Sequence, residues 1–197
     1  MINKAMDYAR SIFEADASGH DFDHTMRVYR MAVRIAEEEG ADLQSVSLAA
    51  LLHDVDDRKL SPETYENKDR AVFFLRQNGM TEDEISEIVQ IISEISFSAG
   101  NGAPSSLEGM CVQDADRLDA MGAIGIGRAF AFGGSRGRRM HDPEGADTTT
   151  TIQHFYDKLL LLKDRMNTAT GKNLACQRDA YLRTFLDEFY AEWDGIR

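Results

Sequence analysis

The chain has 197 residues, 43% of them hydrophobic and 28% charged, which is enough to bury a substantial core without disulfide or metal staples. Its formal charge of −12 argues against nonspecific binding along nucleic acid or to an anionic membrane, because such binding relies on Lys and Arg neutralising phosphates. No apolar run approaches the ~20 residues that a membrane helix needs, so a cytoplasmic protein with no membrane partner is expected. The two cysteines, Cys111 and Cys176, have no CxxC spacing and read as buried free thiols.

Nearly the whole chain has helical periodicity. Residues 2 to 16 place Ala5, Tyr8, Ile12 and Phe13 on one face, before "SGHDFDH" breaks the pattern. From Phe22, the series His24, Val28, Met31, Ile35 recurs at three and four until Gly40. Asp42 is placed to cap the next helix, which runs to His53. A further helix is predicted to start at Pro62 and end at Asn78 and Gly79. Capping boxes are expected at Thr81 with Glu84, and at Ser105 with Glu108 ahead of "LEGMCVQDADRLDAMGAI". Residues 133 to 151 have no periodicity, much Gly and the cluster Arg136, Arg138 and Arg139, and are read as a long loop. Helices around 152 to 167 and 173 to 193 close the chain. The expected fold is all-α, a single domain over residues 1–197 with about seven or eight helices.

Three stretches carry chemistry. "AALLHDVDDRK", residues 49 to 59, ends an apolar helix on His53 and Asp54, with Asp56 and Asp57 within a turn. Such groups at a buried helix end carry a heavy desolvation cost unless paired or bound to a cation. His24 lies on the inward face of its helix, with Arg27 three residues on. "VQDADRLDA" sets Asp114, Asp116 and Asp119 in an otherwise apolar helix, where a divalent cation would turn mutual repulsion into attraction. Mixed imidazole and carboxylate donors suit manganese, ferrous iron, nickel, zinc or magnesium better than calcium, and leave positions open for hydrolytic chemistry. The glycines of "GAIGIGRAFAFGG" follow no strand and do not have dinucleotide-fingerprint spacing, so close helix packing is the better reading.

The order His, His-Asp, Asp on a helical chain resembles the HD superfamily of metal-dependent phosphohydrolases. The strings "DHTMRVYRMA", "LAALLHDVDD", "LEGMCVQDADRLDAMGAIGIGRAF" and "HFYDKLLLLKDRMNT" are similar to short bacterial HD-domain hydrolases, a likeness that spans roughly residues 20 to 193. The resemblance implies metal ligands at His24, His53, Asp54 and Asp116, with Asp114 as the alternative distal acid. It implies a divalent ion, manganese ahead of magnesium, iron, nickel or zinc. Asp57 corresponds to an acid that orients water or assists the leaving group, whereas Asp56 reads as a solvated neighbour.

Arg27 and Arg117 are candidates to neutralise substrate phosphates, with Lys158 and Lys163 weaker ones; His20, one turn before His24, is a candidate pocket residue. The implied substrate is a small phosphorylated compound. A nucleoside or deoxynucleoside triphosphate cleaved to monophosphate and pyrophosphate comes first. A nucleotidase or phosphodiesterase on another phosphorylated substrate, and a non-catalytic metal and nucleotide sensor, are the alternatives. The GYP signature of cyclic dinucleotide enzymes is absent. A homodimer is compatible with the helical surface. His141 and the loop arginines read as a solvated basic loop rather than a lid, and Trp193 as a C-terminal core anchor.

Overall fold

The computed structural model describes residues 1–13, 21–57, 61–95 and 102–197. Among them the protein is all-α, with nine α-helices, one 3₁₀ helix and no strand. None of these helices is long and apolar enough to cross a membrane. The helices form two compact units, residues 1–116 and 117–197.

In the first unit, α1 (Ile2–Phe13), α2 (Phe22–Glu39) and α5 (Glu82–Ile95) surround α3 (Leu43–Leu52). Every residue of α3 from Val46 to Leu52 is buried. A helix apolar on all sides belongs at the centre of a core, and this one delivers His53 and Asp54 at its C-terminal end. Its start is fixed by Asp42, whose carboxylate accepts from the Ser45 amide at 2.7 Å. Gly40 ends α2 in the left-handed conformation, at φ 78°. The Thr81 and Glu84 box forms at the start of α5, with the Thr81 amide 2.8 Å from Glu84 Oε2.

Several boundaries differ from the periodicity. Residues 62–68 form turns, and α4 begins only at Asp69 (Asp69–Gln77). At α6 (Leu107–Asp119) the capping hydroxyl is that of Ser106, which accepts from the Gly109 amide at 3.0 Å. Ser105 instead binds Glu94, and Glu108 accepts from the Asp42 amide at 3.1 Å. Both acids are thus taken up by partners distant in sequence.

In the second unit, α7 (Gly122–Ser135), α8 (Thr151–Asp157) and α9 (Ala169–Trp193) pack with a 3₁₀ helix, Leu159–Arg165. The run expected as one helix from 107 breaks at residues 120–121, because Gly122 takes φ +66°. The run expected around 152 to 167 breaks at Lys158. These breaks raise the helix count above the periodicity estimate. Cys111 is buried, and burial together with nearby Asp114 pushes its thiol up to about 12, whereas Cys176 is exposed rather than buried. Trp193 is 41% exposed, not a core anchor.

Of the α7 glycines, Gly122, Gly125 and Gly133 sit against close neighbours, whereas Gly127 and Gly134 have open space where a Cβ would go. A Cβ on Gly125 would stand 2.2 Å from the Ala120 carbonyl oxygen, and one on Gly133 2.2 Å from Thr151 Oγ1. Gly125→Ala therefore lowers stability by about 2 kcal/mol or more, since overpacking against fixed backbone exceeds the ~1 kcal/mol of helix propensity that alanine restores. Gly133→Ala meets a side chain that can shift, so urea denaturation should rank its loss below that of Gly125→Ala; the reverse order would refute the packing account.

Candidate metal centre

Two helix ends and the last turn of a third supply the donors. His24 sits in the first turn of α2, where Asp21 caps the helix through the His24 amide at 2.6 Å. His53 and Asp54 follow α3, and Asp116 lies near the end of α6. His24 Nε2 stands 3.6 Å from Asp54 Oδ2 and 3.5 Å from Asp116 Oδ1, and His53 Nε2 stands 3.1 Å from Asp54 Oδ2. The two imidazoles meet edge to face, with ring centroids 5.5 Å apart.

The second ring nitrogen of His53 explains its orientation. Nδ1 lies 2.8 Å from the Ala50 carbonyl, one turn back on α3, so Nδ1 carries the proton and donates. With Nδ1 so held, Nε2 is the nitrogen that would give its lone pair to a bound metal, the tautomer a metal ligand requires. Nε2 is buried and makes no full hydrogen bond, its nearest polar neighbour being Asp54 Oδ2 at 3.1 Å, with which it interacts chiefly by charge. Such a group is costly unless something else satisfies it.

Burial pushes the His53 imidazole down, but the carboxylates of Asp54 and Asp116 outweigh it and raise its pKa to about 9. The cluster therefore stabilises positive charge at this point. Ligand atoms of His24, His53 and Asp54 all lie within 4.8 Å of one another. Donors about 2.0–2.2 Å from one ion stand roughly 3.0–3.5 Å apart, the range of the contacts above. Chemistry, spacing and the unsatisfied nitrogen all fit a divalent cation.

Asp116 faces His24, although it lies outside the tight group of three. Asp114, the alternative, is fully buried beside Cys111. Asp57 is half-buried, and its amide bonds the Asp54 carbonyl at 2.9 Å. Arg27 is half-buried one turn after His24. In the second unit, Arg117 donates to the Arg165 carbonyl, Lys163 lies 3.5 Å from Asp179, and Lys158 ends α8. His20 lies outside the described residues. His141 contacts the rings of Phe189, Tyr190 and Trp193.

Asp56 corrects the sequence reading. It is fully buried, and its two oxygens accept from the amides of Arg70 and Ala71 at 3.1 and 3.0 Å. The first turn of α4 is thus capped by an acid from the turn after Asp54, since Lys68 offers no side-chain cap. A contact between positions fourteen apart leaves no local signature.

The HD domain profile matches residues 21–121, which hold all four candidate ligands. The chain belongs to the HD family. Bacillus subtilis YpgQ is 41% identical, in an alignment covering 96% of this chain and 92% of YpgQ. The crystal structure of YpgQ in complex with ADP superposes with a TM-score of 0.85 at 35% identity, covering both chains fully at 100%. An HD-superfamily hydrolase from Bacillus thuringiensis gives a TM-score of 0.84 at 41% identity, over 98% of this chain and 96% of that one. Fold, family and the His24, His53, Asp54 cluster together identify an HD-type, metal-dependent hydrolase.

Proposed function

We propose that this protein hydrolyses nucleoside or deoxynucleoside triphosphates to the monophosphate and pyrophosphate. The observation that carries the reading is the buried, unsatisfied His53 Nε2 facing Asp54 within a group that includes His24. The nucleotide part is supported by the likeness to a protein crystallised with ADP.

His24, His53, Asp54 and Asp116 are assigned as ligands, with manganese as the preferred ion. When bound, a divalent ion polarises a phosphoryl oxygen and lowers the proton affinity of a water. His53 keeps its ring fixed through Ala50, so its ligand nitrogen needs no reorientation during turnover. Asp57 is assigned to orient the attacking water and accept its proton. Arg27 and Arg117, followed by Lys158 and Lys163, are assigned to the phosphate charge, and His20 to the pocket wall.

The test is release of pyrophosphate and of orthophosphate from a panel of nucleoside triphosphates and monophosphates, with manganese, magnesium or chelator. Metal-dependent pyrophosphate release is expected. Orthophosphate from monophosphates instead would establish a nucleotidase. Nucleotide binding without any release would establish a sensor.

A further inference from the structure

Among the described residues of the first unit, Lys68 is a buried cation for which no carboxylate partner is found. Lys68 is only 6% exposed, and it alone among the described non-glycine residues has positive φ, at 54°. Its ammonium lies 3.8 Å from the centroid of the Tyr65 ring. No carboxylate or carbonyl partners the ammonium among the described residues, although the side chain is more than nine-tenths buried. The left-handed backbone costs a non-glycine residue about 1–2 kcal/mol, a kind of strain that gathers at ligand-binding positions.

The segment carrying Lys68 is stitched to the turn that follows His53 and Asp54. The Ser61 amide donates to the Asp57 carbonyl at 2.7 Å, and the Arg70 guanidinium donates to the Val55 carbonyl at 3.4 Å. Arg70 and Ala71 amides bind Asp56. Lys68 is two residues from Arg70, so its backbone is within about two Cα steps of the residue that bonds that turn. A cation there adjoins a strongly acidic neighbourhood yet is not consumed by it, and Tyr65 holds it through a ring face that leaves its donors available.

We propose that Lys68 contacts the phosphorylated substrate, its ammonium donating to an anionic phosphate oxygen. This rests on the phosphohydrolase reading above. It explains both the missing counter-ion and the strained backbone: the position is retained for the anion it receives.

The test compares wild type with Lys68→Met, Lys68→Arg and Lys68→Gly. Lys68→Met keeps the buried stem and loses the charge, so kcat/KM for a nucleoside triphosphate should fall about 10- to 100-fold, mainly through KM. Manganese affinity by calorimetry should be unchanged, and Lys68→Arg should restore part of the loss. Lys68→Gly should share the kinetic defect while its Tm does not fall, because the strain is relieved. A binding arm titrates inorganic pyrophosphate into the manganese-loaded proteins. If no triphosphate is hydrolysed yet pyrophosphate binds Lys68→Met at least about tenfold more weakly than wild type, the Lys68 assignment stands and the triphosphate reading falls. Kinetics and pyrophosphate affinity within about threefold of wild type in Lys68→Met, or no pyrophosphate binding by wild type, would overturn the assignment.

Discussion

Asp54→Asn is expected to leave a folded protein with almost no hydrolytic activity. The expected fall in turnover is at least about a thousandfold, equivalent to roughly 4 kcal/mol of lost transition-state stabilisation. Asp54 Oδ2 is the atom that both imidazoles approach, at 3.6 Å from His24 Nε2 and 3.1 Å from His53 Nε2. An amide there is nearly the same shape but lacks the charge that favours a cation. Thermal unfolding separates this loss from misfolding. In wild type, manganese at about a hundred times its Kd adds about 2.7 kcal/mol to stability, seen as a raised Tm. In the variant that increment disappears while the metal-free Tm stays within a few degrees. Persistence of the increment together with turnover would remove Asp54 from the ligand set.

The second large effect is on folding, two residues away. Asp56→Ala removes the acceptor for two amides at the start of α4 and leaves both inside the protein. Hydrogen bonds to a charged group are worth about 1.5–3 kcal/mol each, so a loss of about 3 kcal/mol or more is expected. For a chain of this size that is a fall of roughly 10 °C in Tm. Asp56→Asn retains one acceptor oxygen and should lose less. A Tm for Asp56→Ala within 2 °C of wild type would mean that the cap contributes nothing measurable.

These adjacent acids show what was legible in the sequence. Local chemistry was: Asp42, Gly40 and the Thr81 and Glu84 box act where their neighbours place them. The gathering of His24, His53 and Asp54 was legible through the order His, His-Asp, Asp and its resemblance to HD hydrolases, since each histidine taken alone could equally be a core residue. Contacts across distance were not. Asp56 looked solvated because the amides it serves lie fourteen and fifteen residues on. Glu108 looked like half of a capping box until Asp42 claimed it. Lys158 ends α8 inside a run whose apolar spacing would have continued the helix, and Trp193 pairs with His141 and Phe189 at the surface instead of entering the core. The arginine cluster at 136 to 139 divides: Arg136 and Arg138 lie over Phe132, while Arg139 pairs with Asp142.

The bonds from Asp56 to the Arg70 and Ala71 amides also shape how the protein opens. Neither the turn after His53 nor the first turn of α4 can detach alone without stranding a buried carboxylate or two amide protons. The two therefore open as one cooperative unit in native-state hydrogen exchange, with the Arg70 and Ala71 amides exchanging at the free energy of that joint opening. Anything that tightens the donors at His53 and Asp54 will slow exchange on α4, a helix that contributes none of those donors.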